Sequence, residues 1–66
     1  MPDRYFPGEG RARVAQRIRD ARLHPMDEQI AEMRLLQDMN YIDIGAAVHC
    51  DRRTASRHFN RILDRL

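Results

Sequence analysis

Arginine is the residue type in this chain whose placement could do chemistry. Arg52, Arg53 and Arg57 stand directly behind Asp51, one of the side chains that favour the cap position at a helix start. At 3.6 residues per turn, residues 52, 53, 56 and 57 share the N-terminal outward face of such a helix, opposite Ala55, Phe59 and Ile62. A guanidinium is permanently charged and carries a planar fork of donors. It fits a phosphate, or the paired acceptors on a guanine edge, with two hydrogen bonds at once. The start of a helix adds a partial positive charge aimed the same way. The chemistry on offer is therefore recognition of an anion. All 12 basic side chains are arginine, with no lysine, a bias that a GC-rich coding sequence also produces.

The net charge of +2 hides a segregated charge pattern. Residues 4–22 hold six arginines against Glu9 and Asp20, and residues 51–66 hold five against Asp51 and Asp64. Between them, residues 27–43 hold Asp27, Glu28, Glu32, Asp38 and Asp43 against Arg34 alone. A basic, acidic, basic order suits two surfaces that meet a polyanion and one that does not. Solvated helix faces are the plainer reading of the same runs.

Other chemistries find little support. His49 and Cys50 are adjacent, His24 and His58 are isolated, and no ligand spacing suits a structural metal. There is no nucleophile–base pair and no glycine-rich phosphate loop, so neither catalysis nor a cofactor is expected. Four short helices leave little room for a small-molecule pocket of roughly 300 Å³ or more. With no transmembrane run, no signal peptide and one cysteine, the expected location is cytoplasmic.

The elements that must position the arginines follow from the apolar spacing. With 66 residues the chain is one domain. Residues 1–8, MPDRYFPG, read as an irregular arm docked through Tyr5 and Phe6, and residues 9–66 as the helical domain. A first helix is expected over 9–23, with a weak stripe of Ala12, Val14, Ala15, Ile18 and Leu23, ended by His24-Pro25. A second starts near Pro25 or Asp27 and runs to about Met39, with Ile30, Met33 and Leu36 on one side and Met26 and Leu35 flanking. A third covers Tyr41 to about Val48, capped by Asn40 with Asp43 at the third position. The fourth, capped by Asp51, runs to the C-terminus with Ala55, Phe59, Ile62 and Leu66 on one stripe. No stretch alternates with a period of two, so the fold class is all-α.

Residues 40–62, NYIDIGAAVHCDRRTASRHFNRI, place two short helices across a junction of His49, Cys50 and Asp51. So tight a junction fits a helix-turn-helix, in which a small residue, Gly45 or Ala46, lets the second helix cross the first. Ile44, Val48, Cys50, Ala55 and Phe59 have the spacing to be buried on both sides of the turn. The segment DIGAAVHCDRRTASRHFN resembles, without a gap, the helix-turn-helix of bacterial repressors of the lactose-repressor type. TASRHFNRI is similar to recognition helices that read T-V-S-R-H-L-x-x-L, and IAEMRLLQDMNYIDI to the helix leading into the motif in sigma-factor-type domains. The resemblance covers roughly residues 27–63. It implies a three-helix helix-turn-helix core preceded by an additional helix. By position it implies base-edge contacts from Arg52, Arg53 and Arg57, with Thr54 and Ser56 near phosphates; Arg61 is assigned to phosphate as well. His49 stands where the family has glycine in a left-handed turn, and Ala55 where valine or isoleucine is common.

Arg11, Arg13, Arg17 and Arg19 either clamp phosphates beside the groove or solvate the first helix; Arg11 and Arg13 are assigned to phosphate. His58 is expected to pack or to face solvent. With the chain ending at Leu66, no β-wing is expected. One such module buries limited surface on DNA, so a homodimer on an inverted repeat is expected, with Val14, Ile18 and Leu23, or Leu63 and Leu66, as its seam. The resulting expectation is a sequence-specific, autoregulatory repressor that binds double-stranded DNA. The rivals are a protein-binding module using Asp27, Glu28 and Glu32, and a DNA-targeting fragment of a recombinase or transposase.

Overall fold

Aliphatic side chains recurring three and four residues apart turn each segment into a helix with one face to bury. The computed structural model describes residues 5–66, and the first four residues of the expected arm lie outside the described residues. The described residues form four helices and no strand. They are α1 (Arg11–Asp20), α2 (Pro25–Leu35), α3 (Tyr41–Val48) and α4 (Arg52–Leu63). The all-α expectation holds. No helix among the described residues is long and apolar enough to cross a membrane.

Helix starts were easier to read than helix ends. Asn40 caps α3 by accepting from the Asp43 amide at 2.8 Å, and Asp51 caps α4 by accepting from the Thr54 amide at 2.7 Å. α2 starts with Pro25, whose missing amide costs nothing in the first turn, and His24 Nδ1 accepts from the Met26 amide at 3.3 Å. The first helix is shorter than the expected 9–23. Gly10 is extended and acts as its cap residue, and Arg22, with φ of 50°, turns the chain left-handed after Asp20. The second stops at Leu35, not near Met39. The amides of Gln37 and Met39 fold back onto the carbonyls of Glu32 and Met33, and Asp38 takes φ of 55°. The fourth helix ends at Leu63, and the last residues form turns onto Ile62 and Leu63.

The core joins all four helices: Val14 and Ile18 from α1, Ile30, Ala31, Met33 and Leu35 from α2, Ile44 from α3, and Ala55, Phe59 and Ile62 from α4. Leu23 closes it from the α1–α2 connection. Two sequence expectations change here. Ala12, counted in the α1 stripe, is exposed. Val14, Ile18 and Leu23, offered as a dimer seam, are buried in the chain's own core and present no surface to a second copy. Leu63 and Leu66 are half-buried against that core.

Phe59 sits at the centre of the packing. Its ring meets Tyr5 edge-on at 5.2 Å between centroids and Tyr41 at 6.2 Å, so the arm and the start of α3 share one aromatic cluster. Edge-to-face pairs at such separations add to the burial of apolar area. The expected docking of the arm through Tyr5 and Phe6 is what the structure shows.

Candidate nucleic-acid interface

The site is built from the junction between α3 and α4. His49 takes φ of 61° and ψ of 45°, the left-handed conformation expected of this position. The amides of His49 and Cys50 both turn onto the Gly45 carbonyl. Gly45 itself is buried at that crossing. A Cβ there would collide with the Cys50 carbonyl oxygen and come within 3.2 Å of the Asp51 carbonyl carbon, both backbone atoms. Of the two small residues considered for the crossing, Gly45 is therefore the one that allows it; Ala46 is exposed.

With the junction in place, the Asp51 carboxylate holds the first turn of α4. Its hydrogen bonds from the Thr54 backbone and side chain, helped by the charge of Arg57, keep the carboxyl below its ordinary pKa. The Thr54 side chain is thereby engaged in the cap. Arg52, Arg53 and Arg57 are all exposed, and with Ser56 and Tyr41 they line one open depression of about 420 Å³, larger than four short helices were expected to leave because it is an open surface hollow between α3 and α4. None of the three guanidinium groups has a hydrogen-bond or ion-pair partner among the described residues.

Arginines elsewhere are differently placed. Arg17 grips Glu9 through Nε and Nη2, both at 2.9 Å, and donates through Nη1 to the Leu66 carbonyl at 2.6 Å. Its guanidinium also covers the Phe6 ring at 4.7 Å. That hydrogen-bonded pairing lowers the Glu9 pKa and raises that of Arg17. Arg34 lies between two tyrosines, 4.7 Å from the Tyr41 ring centre and 5.9 Å from that of Tyr5. It donates to the Met39 carbonyl at 2.7 Å and to the Tyr5 hydroxyl at 3.3 Å. Burial, and then the neighbouring Tyr5, push the Tyr41 hydroxyl above its usual pKa.

The residues expected to touch phosphate are not all brought together. Ser56 lies beside the three arginines. Arg61 lies on the other flank of α4, in a cleft of about 250 Å³ with Asp27, His58, Ile62 and Arg65. Arg11 donates to the Leu36 carbonyl at the end of α2, and Arg13 is exposed on α1 near Glu9. His58 packs, as expected, with Nδ1 3.6 Å from an Asp27 oxygen. That contact occupies one carboxylate of the acidic surface over 27–43.

Tyr41 is the site residue that sequence reasoning did not find. Its position next to the Asn40 cap marks a helix start, but nothing local signals that its ring walls the α4 depression. Comparison with protein-family models, curated proteins and solved structures finds no match for this chain.

Proposed function

We propose that this chain is a sequence-specific DNA-binding regulator, built as a helix-turn-helix from α3 and α4, that acts as a homodimeric autoregulatory repressor. α4 is the recognition helix. Arg52, Arg53 and Arg57 contact base edges in the major groove, and Ser56 and Arg61 contact phosphates on either side. Arg13 on α1 reaches the backbone further out. Arg11 and Thr54 serve this role only by exchanging the intramolecular contacts they make now.

One observation carries the reading: three guanidinium groups share one exposed face and one depression with no hydrogen-bond or ion-pair partner among the described residues, the Asp51 cap being the one carboxylate whose titration Arg57 affects. Like charges this close repel, and the cost is tolerable where a polyanion meets them. A left-handed junction at His49 and a crossing that only glycine permits at Gly45 agree with the resemblance of residues 43–60 to known helix-turn-helix segments. For the dimer, burial of Val14, Ile18 and Leu23 leaves the Leu63–Leu66 end as the seam.

Selection of bound duplexes from a random pool tests the proposal. It should enrich one motif, arranged as an inverted repeat with half-sites about one helical turn apart. A pool that binds yet emerges without a consensus would reduce the activity to charge attraction. A pool that does not bind at low salt would remove DNA as the ligand.

A further inference from the structure

Ile42 is 62 % exposed, the one large hydrophobic side chain that the described fold leaves in water. Two residues on, Ile44 is fully buried, so α3 does not need Ile42 for its own packing. Its position on the helix is informative. Gly45 lies against the Cys50 and Asp51 backbone at the start of α4. Residues three and four apart share a helix flank, which puts Tyr41 and Ile42 on the side of α3 turned toward that start. Tyr41 is already a wall of the depression formed with Arg52, Arg53, Ser56 and Arg57. One turn beyond Ile42, exposed Ala46 is too small to obstruct an approaching surface.

We infer that Ile42 reads the C5-methyl group of a thymine at the edge of the sequence contacted by α4, an inference that rests on the DNA-binding reading above. The thymine methyl is the one apolar group that the four bases present in the major groove. Meeting it removes apolar surface of both partners from water. A second copy of the chain is a poor occupant for this spot. Stable protein interfaces bury roughly 800 Å² on each partner, and Ile42 is flanked by exposed Asp43 and small Ala46 and Ala47.

The experiment removes the methyl from the DNA. Each thymine of the selected duplex is replaced in turn by deoxyuridine, and affinities are measured for the native chain and for Ile42→Ala. One replacement should weaken the native chain about fourfold, the worth of one buried methyl group, and leave Ile42→Ala unaffected. Equal losses for both proteins at every position would overturn the inference while leaving DNA recognition by α4 intact. A native chain that binds no duplex selectively would sink both. A change in sedimentation caused by Ile42→Ala, with the uracil penalties unchanged, would make a second copy the occupant and overturn the thymine contact.

Discussion

Arg34 and Arg53 carry the same side chain, on helices that pack against one another, in opposite circumstances. Around Arg34 two tyrosine rings, a backbone carbonyl and a hydroxyl all engage the guanidinium. Around Arg53 nothing within the described residues does so. Arg17 belongs with Arg34: it ties the residues before α1, through Glu9 and Phe6, to the C-terminal carbonyl of Leu66. Arg52 and Arg57 belong with Arg53. In a small domain with a thin apolar core, arginines can serve as connectors, joining segments distant in the chain through several donors at once. Among those without such work, Arg52, Arg53 and Arg57 share the first half of α4, whereas Arg13 and Arg22 lie on and just after α1 and Arg61 lies in the last turn of α4. Composition alone cannot separate the two groups, because it counts all twelve arginines alike.

Phe59 is where the largest break in that division should come. Its ring supports both Tyr5 and Tyr41, which in turn hold Arg34. Phe59→Ala should cost about 3–5 kcal/mol in urea unfolding, comparable to the whole stability of a domain this small. A variant that unfolds near the native midpoint would mean that the aromatic cluster contributes little. Next comes Gly45→Ala, expected to cost about 1–3 kcal/mol because the added methyl meets backbone that cannot swing aside. If Gly45→Ala melts like the native chain, the α3–α4 crossing is looser than described.

The contrast is sharpened most by treating the two arginine groups identically. Arg34→Met should lose about 1–2 kcal/mol of stability, the range of a partly desolvated cation–π contact and its hydrogen bonds. Arg53→Met should stay within about 0.5 kcal/mol of the native chain. Equal effects would erase the distinction between them. A smaller effect concerns pH. The folded Asp51 carboxyl has a lowered pKa, so its contribution is complete above the unfolded value of about 3.9 and is lost as pH falls through the folded value. Asp51→Asn keeps a capping acceptor without the charge. Its stability deficit relative to the native chain should therefore shrink below about pH 4 in urea midpoints taken down the acid range. A deficit independent of pH would show that the charge at the cap contributes nothing.

Local chemistry was legible in the sequence, and distant partnership was not. Asn40 and Asp51 announce their helices because the capping bond closes within three residues. The left-handed turn at His49 was expected from the resemblance, which has glycine at that position; histidine itself carries no such signal. The ends of α1 and α2 fall earlier than their apolar patterns suggest, because the chain turns left-handed at Arg22 and Asp38, which carry none of the usual glycine signal. The roles of Arg17 and Arg34 were hidden for another reason: Arg17 meets Leu66 and Arg34 meets Tyr5, far along the chain. The α1 stripe likewise marks residues for burial without saying against what, and Val14 and Ile18 proved to face the chain's own core. For the candidate site, the arginine face followed from helical periodicity, whereas Tyr41 required the folded molecule.

The central claim is that the unpartnered arginines of α4 read sequence, and competition binding tests it most directly. The ratio of affinity for the selected duplex to that for random duplex should be about 10³ or more in the native chain at fixed salt. Arg53→Ala should lower that ratio by roughly ten- to a hundredfold, the worth of one bidentate contact to a base, with little change in affinity for random DNA. A ratio that Arg53→Ala leaves unchanged, or a native ratio near one, would contradict the account.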